Sequence, residues 1–190
     1  VSACVEKARQ LDMKAYLYDE DRWPSGSAGG KITRDNKRNR ISALVALRQS
    51  GEDVKGKVLA TFAVKFDEND RVVSYRPADE AAEGEEIVRF VVVREDPSPW
   101  YNDGTYPDTM SRSTMKQFIG ETHKAYARRC GDDFGSLVPA IFTDEPNYKV
   151  RAALGGGGAP KIPYTSSLAG ALEKQFGCDP LERLPEVFWQ

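Results

Sequence analysis

Apolar residues in this chain follow two rhythms. Between Lys57 and Glu95, the runs KVLATFAVKF, RVVSYRP and EEIVRFVVVRE are dense in Val, Phe and Tyr, with the turn signals DEND and ADEAAEG between them. That pattern predicts strands joined as an antiparallel meander. Outside this region the spacing is helical. Cys4, Ala8 and Leu11 share one face of a helix over 2–11. Met115, Phe118, Ile119, Thr122 and Tyr126 mark the buried face of a second helix. Ser111 or Ser113 supplies its N-cap and Gly131 its end. A last helix is predicted through SLAGALEKQF, and the GGGG tract at 155–158 as a flexible loop. The segment NRISALVALRQ fits a helix or a strand, and we read it as a strand start followed by a turn at SGEDVKG.

Two short apolar runs, AYLY and PAIF, end alike, the first in Asp19, Glu20 and Asp21 and the second in Asp144 and Glu145. Helix, short strand and polar loop in succession form the step of an α/β fold. In parallel α/β barrels the chemistry sits where the strands end and the βα loops converge. The expected fold is therefore α/β, an incomplete (β/α)8 barrel. Residues 1–190 would form part of one catalytic barrel domain, with 57–95 an inserted antiparallel β excursion.

Composition narrows the partners. With 27 basic and 29 acidic residues and a net charge of −2, the chain lacks the basic excess of a nucleic-acid-binding surface. No apolar run is long enough to span a bilayer. Cys4, Cys130 and Cys178 are odd in number and far apart, which argues against a disulfide framework or a zinc site and for small packing residues. The chain opens inside a helix without Met and stops on the apolar LPEVFWQ, as expected of a piece of a larger protein. Localisation is not legible.

Candidate chemistry centres on the acids. Glu145 in FTDEP either caps a turn or acts as a general acid, a task suited to a Glu whose pKa partial burial raises. Asp19, Glu20 and Asp21 are a solvated turn, a cluster accepting hydrogen bonds from vicinal hydroxyls, or hard oxygen ligands for Ca²⁺, the weakest of the three because the ligand count falls short. Trp23, Trp100, Tyr101 and Tyr106 lie in Pro- and Gly-punctuated loops, as loop anchors or as walls of a sugar cleft. Asp108 is a helix-start acid or a substrate ligand. His123 falls mid-helix without a second His or a nucleophile motif, so it reads as structural. The glycine runs lack the Lys and the spacing of a phosphate-binding loop.

Taken in order, LYDEDRWPSGSAGG, PWYNDGTYPDTMS, FIGETHKAYARR, FGSLVPAIFTDEP and FGCDPLERLPEVF resemble the catalytic-barrel region of large bacterial glycoside hydrolases, the α-L-rhamnosidase-like and related clan-A-like enzymes. The resemblance implies a barrel of which this chain holds about two parallel strands, with Glu145 as the catalytic acid. It also implies a second carboxylate on a later strand, beyond Gln190. One position departs from the pattern: Asp144 stands where the clan has Asn. The implied substrate is an oligosaccharide or glycoside, contacted by Asp19, Glu20, Asp21, Trp23, Trp100, Tyr101, Asn102, Tyr106, Asp108 and Asp144, with no obligatory cofactor. The competing class is a non-catalytic carbohydrate-binding protein.

Overall fold

The computed structural model describes residues 1–48, 54–148 and 158–189. The strands are β1 (Leu17–Tyr18), β2 (Ser42–Arg48), β3 (Lys57–Phe66), β4 (Val72–Pro77), β5 (Glu86–Arg94), β6 (Ile141–Phe142) and β7 (Lys161–Tyr164). The α-helices are α1 (Ser2–Gln10), α2 (Lys31–Arg34), α3 (Arg112–Glu121), α4 (His123–Cys130), α5 (Leu168–Phe176) and α6 (Leu184–Phe188). The chain divides into two compact units, Val1–Arg40 with Asp96–Tyr148, and Ile41–Glu95 with Lys149–Gln190.

The second unit overturns the barrel expectation. Its five strands form one sheet in the order β4-β3-β5-β2-β7, and every pairing is antiparallel. The meander read at 57–95 is present as β3, β4 and β5, but it is no isolated excursion. β2 pairs along β5 from Ser42↔Arg94 to Arg48↔Val88, and β7 pairs along β2. The described residues are thus a mixed fold dominated by an antiparallel sheet, and not a (β/α)8 barrel fragment. The reason is physical. An unbroken apolar run such as ALVAL signals a strand buried throughout, as β2 is, yet it is silent on the direction of the strand beside it.

Leu44, Ala46, Phe62, Val64, Val88 and Phe90 form the core of this sheet. The helix α6 covers it with Leu184 and Phe188, followed by Trp189. Phe188 meets Phe90 at 5.3 Å between ring centroids and Trp189 meets Phe66 at 5.3 Å. Leu184, Phe188 and Trp189 therefore pack within their own unit, while Val187 is exposed. Pro163 in β7 and Pro77 ending β4 sit on edge strands, where a missing N–H costs least.

In the first unit β1 and β6 pair in parallel, Leu17↔Ile141 and Tyr18↔Phe142. Val5, Leu17, Cys130 and Val138 make the core beneath them. On α1 the buried residues are Val5 and Ala8, while Cys4 and Leu11 are exposed. Of the three cysteines only Cys130 is buried. The long helix expected from Ser111 to Gly131 is two helices. Ser111 caps α3 by accepting from the Thr114 N–H (3.3 Å). The chain then bends at Thr122, whose hydroxyl donates to the Phe118 carbonyl at 2.8 Å, a local bond that competes with helix propagation. Phe118 is buried but Ile119 is exposed, so the apolar stripe is narrower than its spacing implied. Of the GGGG tract, 155–157 lie outside the described residues. No helix among those described is long and apolar enough to cross a membrane.

Candidate functional site

The parallel pairing of β1 with β6 carries the acids of both strand ends to one place. Thr143, just after β6, donates its hydroxyl to Asp19 Oδ2 (2.7 Å), and the Tyr18 hydroxyl donates to Asp144 Oδ2 (3.0 Å). Ser25 completes the junction. Its hydroxyl donates to Asp19 Oδ1 (2.6 Å) and accepts from the Asp144 N–H (2.9 Å), while its own N–H donates to the Asp144 carbonyl (2.8 Å). Two acidic strand ends read separately in the sequence are one hydrogen-bonded cluster.

Glu145 follows directly. Its side chain is exposed, and its φ of +44° lies in the left-handed region that favours glycine. Pro146 comes next, and the residue before a proline is pushed toward extended conformations. Such a backbone costs about 1–3 kcal/mol and persists only where its neighbours dictate it. Here they do. Asp144 is pinned to Ser25 on one side, and on the other the Asn147 N–H donates to the Tyr106 hydroxyl (3.0 Å). The Asn147 side-chain amide also donates to the Glu145 carbonyl (3.0 Å).

Glu20, expected to contact substrate, has another task. Its Oε1 accepts from the N–H groups of Asp21 (2.8 Å), Arg22 (3.1 Å) and Gly29 (2.7 Å). Its Oε2 accepts from the N–H groups of Gly26 (3.0 Å), Ser27 (2.7 Å) and Ala28 (2.9 Å), and from the Ser27 hydroxyl (3.1 Å). The glycine-rich loop is thus a nest of amides around an internal anion. The three adjacent acids thus part ways: Glu20 organises the loop, Asp19 is buried in the strand junction, and Asp21 alone of the three is exposed.

The aromatic residues divide as well. Trp23 and Trp100 are half exposed, and the Trp100 indole N–H donates to the Trp23 carbonyl (2.8 Å). Tyr101 and Tyr106 are buried, so they shape the loops from beneath. The Tyr106 hydroxyl donates to the Ser25 carbonyl (2.9 Å), and burial pushes its pKa up to about 12. An unfolded phenol titrates near 10. The stability it carries is full below pH 10 and is lost as pH rises from about 10 to 12, on the order of 2 kcal/mol. Urea unfolding at pH 9 and 11.5 is expected to show that loss, and Tyr106→Phe to remove most of it. An equal loss in both proteins would show that Tyr106 is not its source.

Asp108 is buried and turns inward, accepting from the Met110 N–H at 3.1 Å, as a helix-start acid does. Asn102, at φ +50°, gives its amide hydrogens to the Gly29 carbonyl (3.0 Å) and to Asp21 Oδ2 (3.3 Å). A cleft of about 520 Å³ runs past Tyr18, Asp19, Glu20, Asp21 and Asn102, with Arg129 on its wall. Its lining does not include Trp23, Trp100, Asp144 or Glu145. Among the described residues, no group of three or more His, Cys, Asp or Glu side chains could hold a metal ion, so a Ca²⁺ site finds no acidic ligand set there.

Sequence reasoning did not single out Ser25 or Thr143, and it read His123 as structural. The His123 Nε2 stands 3.5 Å from Asp19 Oδ2, a contact made by tertiary structure alone. Comparison with protein-family models, with curated proteins and with solved structures returned no match.

Proposed function

We propose that this chain carries a glycoside-binding site in which Glu145 is the proton donor to the leaving oxygen of a glycosidic bond. The observation that supports this reading above the others is the backbone of Glu145: an exposed carboxylate in a left-handed conformation, held by bonds on both flanks. Folding gains nothing from such strain, whereas a group that must meet a substrate at a fixed angle does. The half-exposed Trp23 and Trp100 add apolar faces on which sugar rings stack, and the Trp23 loop is tied to Asp144 through Ser25. Cleavage also requires a second carboxylate.

Aryl glycosides, the α-L-rhamnoside included, serve as probes of turnover. Glu145→Gln is expected to lower turnover by about 10²–10⁴, the usual contribution of a positioned general acid. Unchanged turnover would remove Glu145 from the chemistry. A second reading, carbohydrate binding without catalysis, is favoured by the exposure of Glu145, since a general acid relies on desolvation to hold its proton. Binding of methyl glycosides that Trp23→Ala weakens, with no turnover by either form, would establish that second reading.

A further inference from the structure

Asp19 is only 2 % exposed, and a buried carboxylate must be hydrogen-bonded or paired. Ser25 and Thr143 each give it a hydroxyl proton. Its third neighbour is His123, the only histidine in the sequence, with Nε2 3.5 Å from Oδ2.

The other ring nitrogen has a partner too: Thr122 Oγ1 lies 2.9 Å from His123 Nδ1. In the neutral ring one nitrogen carries a hydrogen and the other a lone pair, whereas in the protonated ring both are donors. A proton added to the ring therefore sets a cation with an N–H against the buried Asp19 carboxylate, and strengthens the contact.

Asp19 is two hydrogen bonds, through Ser25, from the backbone that holds Glu145. The Ser25 hydroxyl bound to Asp19 Oδ1 is the one that accepts from the Asp144 N–H. We propose that His123 is a proton-linked positioning residue of the Glu145 site, acting through Asp19 and Ser25 on the Asp144–Glu145 backbone. The proposal rests on the reading of Glu145 given above for its consequence in binding, but the coupling itself is measurable without ligand.

Other groups around the ring do not replace Asp19 in this role. From its own helix the Tyr126 phenol faces the same cavity, its hydroxyl given to the Tyr18 carbonyl at 2.6 Å. From α3 comes the edge of the Phe118 ring, 5.5 Å between centroids. The segment 134–141 faces the ring with Phe134, Val138, Pro139 and Ile141, none of them charged. Lys124 follows His123 on α4, and Glu121 ends α3.

The test is a pH titration of the isotopically labelled chain by NMR between pH 5 and 8. The single imidazole Cε1–H signal gives the His123 midpoint directly. The backbone amides of Ser25 and Asp144 are expected to shift with that same midpoint, and to become flat in His123→Gln. Amides that stay flat while His123 titrates in the unaltered chain would overturn the proposal, whether or not any variant folds. So would a shift that persists in a folded His123→Gln protein.

Binding supplies the second arm, with methyl α-L-rhamnoside and methyl β-D-glucoside as probes. Affinity is expected to change about fivefold between pH 5.5 and 7.5, the lower end of ordinary site-to-site coupling, and to lose that dependence in His123→Gln. A pH-independent affinity would overturn the positioning role. Absence of binding at every pH, with the amide coupling intact, would instead overturn the glycoside reading and leave the His123 relay standing.

Discussion

Gly30→Ala is expected to destabilise the first unit by about 4 kcal/mol. Gly30 sits at φ +82°, and a Cβ built there would lie 1.7 Å from the Tyr101 carbonyl oxygen and 3.5 Å from the Gly104 Cα. The first of these is a backbone atom with no rotamer in which to escape. A left-handed non-glycine residue costs about 1–2 kcal/mol by itself, and forcing packed segments apart adds about 1–3 kcal/mol. Gly135→Ala is the control. Its φ is +78° but nothing lies within 4 Å of the added carbon, so only the conformational cost remains. The fluorine signals of 5-fluorotryptophan at Trp23 and Trp100, followed through a urea titration, report this unit separately from Trp189. Similar losses at Gly30 and Gly135 would show that the close approach to Tyr101 is not what makes Gly30 necessary.

Glu20→Gln is expected to cost about 3 kcal/mol, although only one oxygen is exchanged for a nitrogen. Three donors converge on Oε1 and four on Oε2. Whichever oxygen the amide group replaces, its hydrogens confront at least three other donors. Each buried donor left without an acceptor costs about 1–3 kcal/mol, and opening of the loop to water relieves part of that sum. The loss should be local. Amide exchange at Gly26, Ser27, Ala28 and Gly29 is expected to rise together in the variant, while β3 and β5 keep their protection. If Glu20→Gln matched the parent to within about 0.5 kcal/mol, the figure for an ordinary surface substitution, the loop would not depend on its internal anion.

These two positions also show how far the sequence could be read. The strands β3, β4 and β5 were legible because alternation and β-branched density are local properties of the chain. So was a serine cap at Ser111 or Ser113, a matter of a few neighbouring residues, and so was the presence of acids after AYLY and PAIF. Which residues touch was not legible. Strand direction decided the fold, since β2 and β7 join the meander through antiparallel pairing that no run of apolar residues encodes. The parallel pairing of β1 with β6 decided the site, by setting Asp19 against Thr143 and Asp144 against Tyr18.

The sequence by itself determined the inventory: a Val-rich meander, two acidic strand ends, a glycine-rich loop and one histidine. The tertiary structure alone decided their roles, since burial and hydrogen-bond geometry are properties of the assembled neighbourhood. Three adjacent carboxylates with near-identical chemistry became a buried junction at Asp19, the centre of an amide nest at Glu20 and an exposed acid at Asp21. A histidine that reads as structural stands beside the first of them, because the turn at Thr122 brings its ring to the end of β1.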